Sequence, residues 1–91
     1  MEVHDILKRF DVDLDALSKQ IMKDGVIESK IKRLIAIASA TAIGCDFCVE
    51  YHTKLAYDEG ITKEEIAEAM LVASLVRFGS GVRYLKGLYN D

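Results

Sequence analysis

Cys45, Cys48 and His52 are the residues of this chain whose types and spacing can do chemistry. They lie in Gly44-Cys45-Asp46-Phe47-Cys48-Val49-Glu50-Tyr51-His52, a C-x-x-C motif followed by a histidine four residues on. On a helix turning 100° per residue, positions i, i+3 and i+7 fall within about 60° of one another, so the three side chains share one face. The nucleophile is a thiolate, not a thiol, and a helix N-terminus favours it through unpaired N–H groups and the positive end of the dipole. Cys45 is expected at such an N-terminus, with Gly44 allowing the sharp turn into it. Cys48, one turn later, is near enough to close a disulfide without large backbone motion, so the pair can cycle between dithiol and disulfide. A histidine one turn beyond can take a proton from the thiol or return one to a leaving oxygen or sulfur.

Two other readings of the same residues stay open. A structural zinc site needs four ligands, and Cys45, Cys48 and His52 supply three, with His4 or a carboxylate left to complete the set. Plain burial is the other, because free cysteine is among the most buried residue types. Glu50 falls about 140° from Cys45 around the helix and reads as a solvated residue. Tyr51 and Tyr57 read as packing residues with their hydroxyls at the surface, and Met22 and Met70 as core or interface filling. There is no phosphate-binding glycine loop and no serine nucleophile elbow.

The elements that must hold these residues are helical. Proline is absent, strand-like alternation is nowhere sustained, and an all-α chain of five to six helices is expected. The expected helices run over Val3–Phe10, Asp13–Lys23 with Gly25 as its cap, about Glu28–Ile43, and from the cysteine motif to about Glu59. Gly60 stops this fourth helix in a left-handed conformation. Thr62-Lys63-Glu64-Glu65 reads as a capping box that opens a fifth helix. Gly79-Ser80-Gly81 is expected to break it, leaving a last helix over Val82–Tyr89. The stretches Leu34–Ile43 and Ala69–Val76 carry no charge on any face and are expected to be buried all round.

The chain has 91 residues, 51% of them hydrophobic and 30% charged, which places it among globular domains and makes it one domain, residues 1–91. A domain of this size hides only about two-thirds of its unfolded surface. Two helices without a polar face exceed what it can enclose, so homo-oligomeric interfaces are expected, the alternative being a monomer with one central helix. A net charge of −3 gives no electrostatic reason to expect nucleic acid or anionic lipid. Lys30, Lys32 and Arg33 form the one dense basic group and read as a solvated first helical turn. No apolar run is long enough for a membrane span, and Met1-Glu2-Val3-His4-Asp5 lacks the features of a secretory signal, so a cytoplasmic location is expected. Two cysteines in a reducing compartment point to chemistry before structure.

From about Glu28 to Gly81 the chain resembles the AhpD-like alkyl hydroperoxidase branch of the carboxymuconolactone decarboxylase family. The resemblance rests on the apolar helix Arg33-Leu34-Ile35-Ala36-Ile37-Ala38-Ser39-Ala40 and the Gly44-Cys-x-x-Cys-x-x-x-His52 signature. It rests also on the Gly60-Ile61-Thr62-Lys63-Glu64-Glu65 helix start and the glycines after Phe78. It implies an all-α fold assembling as trimers or hexamers, without a cofactor or resident metal. The implied activity is reduction of hydroperoxides or disulfides by the C-x-x-C pair, which a dithiol carrier then recycles. Cys48 would attack, Cys45 would resolve, and His52 would belong to a proton relay. The chain departs from the pattern at two positions: Arg33 stands where the relay has a glutamate, and Phe47 where it has a histidine. Arg33 could stabilise a thiolate by its charge or be a surface cation. A non-enzymatic redox-sensing or metal-clip module, and a lactone decarboxylase activity, are the alternatives.

Overall fold

The computed structural model describes residues 2–89. Six helices follow one another: α1 (Val3–Lys8), α2 (Leu14–Met22), α3 (Ser29–Ile43), α4 (Asp46–Asp58), α5 (Lys63–Val82) and α6 (Leu85–Leu88). No strand occurs among the described residues, and the fold is all-α as expected. α3 packs along α4 and α5, and more lightly against α2.

Two glycine turns set the path through the site. Gly44 at φ 75° ends α3, and the N–H of Cys45 reaches back to the carbonyl of Ala40 at 3.0 Å. Gly60 at φ 82° follows α4, and the N–H of Ile61 reaches Ala56 at 2.9 Å. Each is a six-to-one closure over a left-handed residue, which glycine adopts without a Cβ clash. The first delivers Cys45 to the start of α4. The second drops Ile61 into the core at 2% exposure. Thr62 then forms the expected capping box, accepting from the N–H of Glu65 while the Glu65 carboxylate accepts from the N–H of Thr62.

The α2–α3 turn is tied differently from the expectation. Gly25 is not a left-handed cap. The ammonium of Lys32 caps α2 instead, donating to the carbonyls of Ile21 at 2.7 Å and Lys23 at 2.8 Å, groups that the end of a helix leaves without partners. In return Asp24 accepts from the N–H of Ser29 at 2.7 Å and caps α3. The basic group is therefore no solvated turn. Lys32 is a cap, Lys30 pairs with Glu65 at 2.9 Å, and Arg33 is buried.

Two boundaries are corrected. α1 stops at Lys8, short of Phe10, and the chain then turns through Asp11 at φ 60°. α5 runs unbroken through Gly79, Ser80 and Gly81 to Val82, so the last helix shrinks to Leu85–Leu88. A glycine inside a helix costs about 1 kcal/mol relative to alanine, which lowers stability without forcing a stop.

The core is small. Ile37, Ala56, Ile61 and Ile66 form it, with Leu34 and Met70 packed against it. The radius of gyration is 16.9 Å, whereas a self-contained domain of this length has one of about 12 Å. The two uncharged stretches are buried on one side only within the single chain. Ile37 and Ala40 face inward while Ile35 and Ile43 are exposed, and on α5 Ala73 faces inward while Leu71, Val72, Leu75 and Val76 are exposed. No helix among the described residues is long and apolar enough to cross a membrane.

Candidate functional site

Cys45 is the N-cap residue of α4, and its Sγ accepts from the N–H of Cys48 at 3.2 Å. A serine or aspartate oxygen would ordinarily fill this position, and a sulfur here meets the same unpaired N–H group. Cys45 and Cys48 are joined as a disulfide with Cα atoms 5.2 Å apart. Both are half-buried, so an incoming group can reach them without unfolding the helix. His52 lies one turn further along α4, also half-buried. The helix thus brings all three expected residues onto one face.

Arg33 reaches this face from α3. Its Nη1 lies 2.7 Å from Nδ1 of His52. Its Nε and Nη2 donate to Oε1 and Oε2 of Glu59 at 3.0 and 2.9 Å. With only 7% of its surface exposed, Arg33 is no surface cation. A charge buried this far requires a paired, hydrogen-bonded partner, and Glu59 provides it in a bidentate fork. Burial pushes His52 below its ordinary pKa of 6.5, the nearby Arg33 cation pushes the same way, and the Glu59 carboxylate pulls against both.

Glu59 is the site residue that the motif reading missed. The signal was present in the spacing, because Cys45, His52 and Glu59 follow one another at intervals of seven residues. Seven residues are nearly two full turns, so the cysteine face of α4 continues to its C-terminal end.

Phe47, where the relay pattern has a histidine, is exposed. Its ring lies 5.9 Å from that of Tyr51 in a nearly parallel stack, and Tyr51 in turn meets the His52 ring edge-on at 5.1 Å. These rings form an aromatic wall beside the histidine. A cavity of about 300 Å³ opens between α2 and α4, lined by Asp15, Ser18, Lys19, Met22, Arg33 and Tyr51. Glu50 and Tyr57 are exposed. Tyr57 and Met70 lie on the far side of α4, along a second, open depression of about 540 Å³.

Residues 11–90 match the carboxymuconolactone decarboxylase family. The chain belongs to that family. Within it the chain is AhpD-like. It is 33% identical over 61 residues to the alkyl hydroperoxide reductase AhpD of Corynebacterium kroppenstedtii, a match covering 67% of this chain and 35% of that protein. It is 45% identical over 65 residues to "Uncharacterized protein 4 in cox locus" of Paracoccus denitrificans, covering 71% of this chain and 59% of the relative. The matches therefore span little more than half of one curated relative and about a third of the other. A crystal structure of a Methanobacterium thermoautotrophicum protein superposes with a TM-score of 0.76 at 30% identity, covering 97% of both chains. A crystal structure of a carboxymuconolactone decarboxylase family protein from Thermotoga maritima superposes with a TM-score of 0.65 at 28% identity, covering 92% of this chain and 90% of that one.

Proposed function

We propose that this chain is the subunit of a homo-oligomeric thiol oxidoreductase that reduces hydroperoxides or disulfides. The observation that carries the reading is the Cys45–Cys48 disulfide across the first turn of α4, on the face that also holds His52. In the reduced protein the unpaired N–H groups and dipole of that turn stabilise a thiolate. The family resemblance makes Cys48, one turn from His52, the attacking residue and Cys45 the resolving one.

The Cys48 thiolate attacks the terminal oxygen of a hydroperoxide. An S–O bond forms, the O–O bond breaks, and the departing alkoxide takes up a proton to become an alcohol. The Cys45 thiol then attacks the sulfenic sulfur, forming the S–S bond. The hydroxide that leaves takes the Cys45 proton and departs as water. The dithiol has lost two electrons and the hydroperoxide has gained them. A dithiol carrier restores the thiols by exchange through a mixed disulfide. A reducing, cytoplasmic compartment suits this cycle. The small core and the exposed apolar side of α5 support assembly with further copies of the chain, which the family resemblance puts at three or six.

Among the described residues no three of His, Cys, Asp and Glu gather where they could hold a metal ion.

The test is the reduction potential of the Cys45/Cys48 pair together with hydroperoxide and disulfide consumption by the same reduced sample. A reversible pair in the range of roughly −180 to −270 mV that either substrate oxidises rapidly is the expected result. Cys48→Ser should abolish turnover, and Cys45→Ser should stop after one round with a sulfenic acid on Cys48. Full turnover by both serine variants, or thiols that never pair, would overturn the reading.

A further inference from the structure

Arg33 and Glu59 do more than bury a charge, because of which histidine nitrogen they engage. A guanidinium has five N–H donors and no acceptor at any accessible pH. Three of those donors are committed: Nε and Nη2 to the Glu59 carboxylate, and one Nη1 hydrogen to His52. The group 2.7 Å from Nη1 is Nδ1 of His52. Two donors cannot share that contact, so Nδ1 must offer its lone pair and the ring proton must sit on Nε2. A neutral imidazole has one lone pair, and here Arg33 occupies it.

We propose that Arg33, anchored by Glu59, is a positioning residue that locks His52 in the Nε2–H tautomer, so that the ring serves the dithiol as a hydrogen-bond donor and not as a free base. The role of the histidine follows from the sign of its neighbour. A carboxylate against Nδ1 would hold a proton there and leave the Nε2 lone pair open to abstract one from a thiol. An arginine does the reverse, and what Nε2–H can do is stabilise a thiolate or an oxyanion by donation. Protonating Nδ1 would set a donor against a donor and expel Arg33, and the lowered pKa of His52 agrees with that obstacle.

The charged groups around the ring come from three helices. α3 contributes Arg33, and α4 contributes Glu59 and the neutral edge of Tyr51. α2 contributes Asp15 and Lys19, of opposite sign, which line one cavity with Arg33 and Tyr51. Arg33 is the one cation in hydrogen-bond contact with the ring among the described residues.

This inference rests on the oxidoreductase reading for its meaning, but its test does not. Two-bond proton–nitrogen spectra of the full, oxidised, nitrogen-15-labelled chain distinguish Nδ1–H from Nε2–H directly. His4, the other histidine in the chain, is assigned with His4→Gln. The expected result is one Nε2–H tautomer for His52, titrating below 6.5. In Arg33→Met the titration should move up and the single-tautomer pattern should be lost, while Arg33→Glu should switch the ring to Nδ1–H. Glu59→Gln, which leaves Arg33 present but unanchored, is the second variant, with a mixture of tautomers expected, and the tautomer of the unsubstituted protein tests the proposal even where a variant fails to fold. An Nδ1–H ring in the unsubstituted protein, or tautomer and titration unchanged in every folded variant, would overturn the proposal. A locked tautomer in a protein that consumes neither hydroperoxide nor disulfide would instead count against the activity alone.

Discussion

Arg33 grips Glu59 across 26 residues of sequence through two parallel N–H···O bonds of 3.0 and 2.9 Å. The two partners are unequally buried. The Arg33 side chain is 9% exposed and that of Glu59 is 36% exposed. The ion pair therefore has one end that water can rescue and one that it cannot.

That inequality fixes the order of two substitutions. Glu59→Gln leaves the buried guanidinium without its carboxylate and should destabilise the fold by about 1.5–3 kcal/mol, the range for hydrogen bonds to a charged group. Arg33→Met leaves Glu59 where solvent can rehydrate it, and methionine fills the vacated space, so its cost should be smaller. Urea denaturation of both variants at one protein concentration reads the difference. A greater loss in Arg33→Met would show that packing by the arginine stem, and not its charge, is what the site needs.

Acid should weaken the protein in two separate windows. The folded pKa of His52 lies below its ordinary value of 6.5, so the unfolded chain binds this proton first. The stability contribution is complete above pH 6.5 and is eroded as pH falls below it. Glu65 has the same sign lower down. Its hydrogen bonds with Lys30 and with the N–H of Thr62 hold its pKa at about 2, against 4.5. Its contribution is present above pH 4.5 and is lost as pH falls toward 2. Thermal unfolding followed against pH should show both declines, the first absent in His52→Gln and the second in Glu65→Gln. A melting temperature that is flat between about pH 7 and pH 5 would contradict the account of His52.

The parts of this fold that were legible from the residues are those fixed by local rules. Thr62 and Glu65 specify their capping box within one turn, and Gly60 and Gly44 mark positions where only a residue without a Cβ turns left-handed cheaply. Cys45, Cys48 and His52 fall on one face because a helix has a fixed period. The misreadings share a cause as well. Lys32 and Arg33 looked like solvent-facing charge because their partners, the end of α2 and Glu59, are brought to them only by tertiary packing. Gly79 and Gly81 looked like a stop, yet neither adopts a left-handed conformation, and both glycines stay within α5. Glu59 was legible in register and was passed over because it also closes its helix.

The exposed side of α5 yields the last prediction. Leu71, Val72, Leu75 and Val76 are 58–69% exposed on one chain, and Phe78 beside them is 68% exposed. Burying such a side chain fully contributes about 1.5–3 kcal/mol, so this row represents a large unrealised gain next to a buried cluster of only four residues. The extended radius of gyration says the same thing geometrically, since the helices do not wrap far enough to cover it. Covering the row with another copy of the chain resolves both facts at once. The unsubstituted protein should therefore run as an oligomer in light-scattering chromatography, trimer or hexamer being the size that the family resemblance implies. Leu71→Lys and Leu75→Lys together should yield a smaller species that keeps its helical circular dichroism but melts earlier and depends less on protein concentration. An unsubstituted protein that runs as a monomer, with the double variant melting at the same temperature, would show that this face contributes nothing to assembly.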